Sequence, residues 1–280
     1  MGDDLDMEGC SYVQRVDGYR FPAESTYTPV EFLKDELREP IGDCFNLRTY
    51  KRNHMSFLEL YGYCDQVQSA EFEGLDLGCD FSEADLKHIN ETVLSTLVLP
   101  LSDPVLSREM YSSKFLRRPV HLMDRIVHPE KYSENKKMSN IKFMSYSTHD
   151  WTLATMLLFL RADNGAFANL PFASNIAFEL HSQEDCTTDD CFWVEIIYNG
   201  KLLEFKEQCV DATRCTYPEF LTMLASRNFV STESRYFDEC AKVWNPPEDE
   251  VYHQNGGRFL SENDSVNWWT APERSPRMRF

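Results

Sequence analysis

The segment that most restricts the fold of this chain runs from residue 141 to residue 160. Ile141-Lys142-Phe143-Met144-Ser145-Tyr146-Ser147 reads as a mostly buried strand, which leads through Thr148-His149-Asp150 into an apolar helix from Thr152 to about Leu160. Strand, polar loop and buried helix in that order imply an α/β arrangement, with the strand covered on both faces and paired on both sides. In open α/β sheets, ligands sit outside the carboxyl ends of the strands, and His149-Asp150 falls at such an end. On a purely structural reading, Asp150 does no more than cap the helix beginning at Trp151.

The flanking sequence extends this framework. Residues 1–80 are aromatic-rich and irregular, with short helices expected over 31–37 and 54–61. Ser82 followed by Asp85 predicts a helix start. The spacing of Leu86, Ile89, Val93, Leu94 and Leu97 continues that helix to the breaks at Pro100 and Pro104. A second helix carries Val105, Met110 and Phe115. Pro119 is expected to open a third, with Val120, Met123, Ile126 and Val127 facing inward. After a turn at Asn164-Gly165, residues 174–181 and 192–198 form an expected antiparallel pair. Asn199-Gly200 marks a tight turn into 201–205. Thr216-Tyr217-Pro218-Glu219 is a capping box that starts the final expected helix. Residues 245–280 read as a polar tail bearing Trp268-Trp269 and a basic end at Arg274, Arg277 and Arg279, a candidate contact for a partner protein.

Charge and cysteine content limit the function classes. A formal net charge of −18 over 280 residues repels phosphate backbones, so no nucleic-acid partner is expected. No apolar run is long enough to span a bilayer, and the first residues have neither a basic nor an apolar leader region. Localisation stays open. The nine cysteines include no C-x-x-C pair, so neither a metal nor another cofactor is expected. Cys186 with Cys191, and Cys209 with Cys215, are close enough to form local disulfides. Asn90-Glu91-Thr92 and Asn263-Asp264-Ser265 are glycosylation sequons. His54, His88, His121, His128, His181 and His253 are scattered and read as structural or solvated.

Taken together, several segments resemble histidine acid phosphatases. Ser145-Tyr146-Ser147-Thr148-His149-Asp150-Trp151-Thr152 is similar to that family's Y-S-x-H-D-x-T segment. Leu170-Pro171-Phe172-Ala173-Ser174, followed by Phe178-Glu179-Leu180, resembles its P-P-Y-A-S…E-L segment. Phe192-Trp193-Val194-Glu195-Ile196-Ile197-Tyr198-Asn199 resembles the next strand, and Cys209, Cys215 and Tyr217-Pro218-Glu219-Phe220 resemble a cysteine-bracketed turn and helix. The resemblance covers residues 141–244. It implies a histidine-phosphatase (phosphoglycerate-mutase-like) sheet with helices on its faces and a helical cap-like region. The implied domains are an irregular cap-like region at 1–80, an α/β domain at 81–244 and the tail at 245–280. It also implies a Cys10–Cys240 disulfide beside Cys209–Cys215. Cys64 is left without its usual partner, because Asn175 stands where a cysteine is expected.

The implied activity is hydrolysis of phosphoric monoesters at acidic pH, with His149 binding the transferring phosphoryl group and Asp150 protonating the departing alcohol. Such chemistry also requires an in-line nucleophile and positive donors around the equatorial oxygens. In the family these come from an R-H-G-x-R-x-P motif. Gly18-Tyr19-Arg20-Phe21-Pro22 matches its second half, but Val16-Asp17 stands in place of Arg-His, and the Cys10 and Cys64 spacing makes the match coincidental. The implied sheet is therefore incomplete. One expectation is a phosphatase fragment or half-enzyme, inactive on its own and completed by a protein partner. The other is a non-catalytic structural or interaction subunit derived from such an enzyme.

Overall fold

The described first half of the chain is helical, and the second combines helices with the sheet. The computed structural model describes residues 10, 28–102, 105–132, 141–164, 170–185 and 188–242. The Gly18–Pro22 match, Gly165, Cys186, the Asn263 sequon and the tail with its tryptophans and arginines lie outside them. The described residues are mixed α and β, with eight α-helices and one small open antiparallel sheet. They fall into two compact units.

In the first unit, α1 (Thr28–Cys44), α2 (Thr49–Asn53), α3 (Phe57–Glu73) and α4 (Glu83–Ser102) pack around Leu33, Leu37, Ile41, Leu60, Val67 and Ile89. The helices expected over 31–37 and 54–61 are both longer than their sequence signals. Arg52 binds Leu47 O, Glu39 and Asp43 at 2.7–2.8 Å, which fastens the end of α1 to α2. A reciprocal Ser56–Glu59 capping box starts α3, and Gly74 ends it at φ 69°, in the left-handed region that costs glycine nothing. Ser82 and Asp85 cap α4 as expected: each accepts the other's backbone N–H. Asn90 is exposed on α4. A Cys44–Cys79 disulfide joins the end of α1 to the loop before α4. Cys64 is fully buried and unpaired.

In the second unit, α5 (Val105–Val127) runs straight through Pro119, so the expected third helix does not exist. Proline removes one backbone hydrogen bond and crowds the preceding turn. Here the apolar stripe of Leu116, Val120, Met123 and Val127, all buried, continues across it against α6 (Asp150–Leu160). Packing of an apolar face stabilises a helix more than one bond does. Ile126, expected to face inward, is 46 % exposed. Almost every residue of α6 is buried, as an all-apolar helix requires.

The sheet is built from β1 (Ile176–Ser182), β2 (Phe192–Tyr198), β3 (Lys201–Leu202) and β4 (Cys215–Thr216). β1 pairs antiparallel with β2 from Ile176↔Tyr198 to Ser182↔Phe192. Asn199 (φ 48°) and Gly200 (φ 77°) make the predicted turn into β3, with the two left-handed residues of a type I′ turn. β4 pairs with β2 and is followed by α7 (Tyr217–Ser226), whose Thr216–Glu219 capping box and early proline agree with the sequence. α7 is not the last helix. Thr232 caps α8 (Glu233–Cys240), which the Cys10–Cys240 disulfide ties to the beginning of the chain.

The largest departure concerns residues 141–147. They were expected to be a buried, two-sided strand. Instead they form no ladder, and Phe143 is 85 % exposed. A strand's backbone groups are satisfied by its neighbours, and among the described residues none lies beside this one. Among the described residues β1 pairs only with β2. Between residues 141–147 and β1 opens a groove of about 920 Å³, walled by residues 141–148, by Leu116 and Met123 of α5, and by residues 174–181.

Candidate functional site

The sequence directs attention first to His149 and Asp150. His149 is the N-cap of α6 in extended conformation (φ −99°, ψ 163°), and its side chain makes no capping hydrogen bond. Asp150 opens the first turn, where a carboxylate suits the helix dipole, and accepts the Trp151 N–H at 2.8 Å. Both side chains are exposed. The backbone beneath them is firm: Thr148 Oγ1 donates to the buried Thr152 Oγ1 at 2.6 Å, and His149 O accepts from Thr152 N–H at 3.1 Å. Trp151 is packed 4.9 Å from the Tyr111 ring. The pair therefore stands side by side at a rigid helix start, just past the end of the grooved segment.

What surrounds the pair is as informative. Among the described residues no ion pair reaches His149 or Asp150, so no arginine, lysine or second histidine is clamped against them. An imidazole and a carboxyl group in this position can hold an anion and deliver a proton. If they act in those two roles, the covalent nucleophile and the cationic donors that phosphoryl transfer requires must come from other groups.

The two disulfides that the resemblance implies are present. Cys10–Cys240 and Cys209–Cys215 are both bonded, with Cα separations of 4.8 and 4.9 Å. Cys191 is bonded too, to a partner outside the described residues. Cys44–Cys79 was not anticipated, because 35 residues separate the two and no local motif links them.

Two histidines taken as structural or solvated are instead parts of polar clusters. His128, just past α5, contacts Asp124 through Nδ1 at 2.8 Å and Asp189 through Nε2 at 3.0 Å. Asp124 also accepts from Tyr132 at 2.5 Å and Tyr217 at 3.2 Å. Burial alone would raise the Asp124 carboxyl, but these donors outweigh it and hold the group below its ordinary 3.8. Burial likewise pulls His128 down, and its two carboxylate partners overcome that and lift it above 6.5. The second cluster, Glu179, His181 and Glu195, lies on one face of the β1–β2 pair. The i, i+2 spacing of Glu179 and His181 was legible in the strand pattern. Glu195 joins them only through the register.

No family model matches the chain, and no curated protein matches it.

Proposed function

We propose that the chain is a histidine acid phosphatase derivative that binds a phosphomonoester or similar anion at His149-Asp150 and does not turn it over alone. The cysteines carry this reading. The resemblance implies Cys10–Cys240, Cys209–Cys215 and an unpaired Cys64, and all three are found. A pattern linking residues 230 apart in sequence reflects a whole-domain architecture rather than a local turn. The lack of any Arg-His-Gly in the sequence, and of an ion pair at His149 among the described residues, supports inactivity.

The groove between residues 141–148 and β1 supports a further element of the reading, namely that a strand from a second polypeptide bearing the R-H-G-x-R-x-P motif completes the sheet there. A groove walled by residues 141–148 on one side and by β1 on the other is a place where an extended segment can add to a sheet edge. A strand added there would also bring the missing nucleophile to the segment that leads to His149. Affinity purification of the tagged chain from its native source tests this. Recovery of a polypeptide with that motif, together with acid phosphatase activity lost on Asp150→Asn, is the expected result. Recovery of the chain alone, inactive, leaves the non-catalytic interaction subunit as the better reading.

A further inference from the structure

The geometry points to a second site on the β1–β2 pair: a surface zinc site formed by Glu179, His181 and Glu195. Glu179 and Glu195 are direct cross-strand partners, so two carboxylates face each other, a pairing that costs stability unless it is neutralised. His181 lies two residues along β1 on the same face. Its Nε2 is 3.2 Å from Glu179 Oε2 and 3.9 Å from Glu195 Oε2, and the three donor atoms all lie within 4.8 Å of one another. Zinc bonds to histidine nitrogen and carboxylate oxygen run about 2.0–2.2 Å, which places neighbouring donors of a tetrahedral ion roughly 3.3 Å apart. These side chains are therefore within a small adjustment of ligating geometry. A single Nε2–H, by contrast, bonds well to only one of the two oxygens.

The surroundings fix the donors in place. Glu195 Oε1 is held by Arg214 Nε at 3.0 Å and by Trp193 Nε1–H at 3.1 Å, which turns Oε2 towards His181. The Glu195 side chain is only 14 % exposed. The His181 ring stacks on Trp193, centroids 5.4 Å apart and planes 9° from parallel, and Trp193 is its cross-strand partner. Outer partners that orient ligands in this way are characteristic of metal sites. Two carboxylates and neutral histidine, offset by Arg214, leave a net charge that favours a dication. The mixed N/O donor set suits zinc among divalent ions. Glu179 and His181 are half-exposed, so a fourth position is open to water or to an anionic ligand.

Isothermal titration of the oxidised, full-length protein with zinc chloride at neutral pH tests the site, with circular dichroism confirming that each variant is folded. The expected result is saturable binding of one zinc per chain. Affinity should fall on the order of 100-fold in His181→Ala and in Glu179→Gln, at least as much as the loss of outer-shell partners costs known sites, and should be unchanged in His54→Ala. No saturable binding, or binding that survives both His181→Ala and Glu179→Gln, would overturn the assignment.

Discussion

The Cys10–Cys240 bridge should be the strongest single covalent contribution to the stability of this protein. Its two cysteines are 230 residues apart, against 35 for Cys44–Cys79 and 6 for Cys209–Cys215. In the chain-entropy picture, closing a loop lowers the entropy of the unfolded chain by an amount that grows with the logarithm of loop length. The three bridges then contribute about 5.5, 4 and 2 kcal/mol respectively. Cys10 and Cys240 are 1 % and 3 % exposed, so serine substitutions would bury unpaired hydroxyls and confound the result. Paired alanine substitutions avoid this. The measurement is guanidinium unfolding of the Cys10→Ala/Cys240→Ala protein beside Cys209→Ala/Cys215→Ala, followed by the fluorescence of Trp151 and Trp193 in the same unit. The long-loop variant should lose about 3 kcal/mol more than the short-loop one. Equal losses, or the reverse order, would refute loop closure as the source of the stabilisation.

Three further outcomes follow from the packing and charge network. Asp124, with its depressed folded value, stabilises the native state above its unfolded 3.8 and loses that contribution as pH falls through the lowered value. His128, with its raised value, contributes fully below its unfolded 6.5 and loses it as pH rises through the raised value. The melting-temperature gap between wild type and Asp124→Asn should therefore be widest between pH 3.8 and 6.5 and narrow on both sides; a gap independent of pH would contradict the network. Burial pushes the Cys64 thiol up to about 12, so iodoacetamide at pH near ~8 should label it only after unfolding, and prompt labelling of native protein would show the site to be open. Phe220, fully buried on α7, should cost about 3–5 kcal/mol when changed to alanine, and a loss below ~1 kcal/mol would mean that the α7 interface collapses around the cavity.

The legible parts of the fold were those with local chemical causes. Ser82 with Asp85, Thr216 with Glu219, and Asn199-Gly200 announce caps and a turn because the groups that satisfy the backbone lie within a few residues. The β1–β2 pair was legible from its two β-rich runs at 174–181 and 192–198. Pro119 misled because a local penalty was overruled by the stripe from Leu116 to Val127, whose partner helix α6 is remote in sequence. The reading of 141–147 failed in a different way. Its composition suits a central strand, but strand formation depends on neighbours, and the described chain supplies none beside it. His149 and Asp150 are singled out by their motif, and the structure places them at the start of α6. The Asp124–His128–Asp189 and Glu179–His181–Glu195 groups were not singled out, since Asp189 and Glu195 reach their local pairs only through tertiary structure.

The central claim is that this chain presents the His-Asp half of a phosphatase site without the nucleophilic half. Its most direct test is turnover of an aryl phosphate at acidic pH by the purified, oxidised chain, compared with His149→Ala. The account predicts no turnover above background in either protein, since loss of a covalent nucleophile removes most of such an enzyme's rate enhancement. Robust hydrolysis by the wild-type chain that disappears in His149→Ala would contradict it.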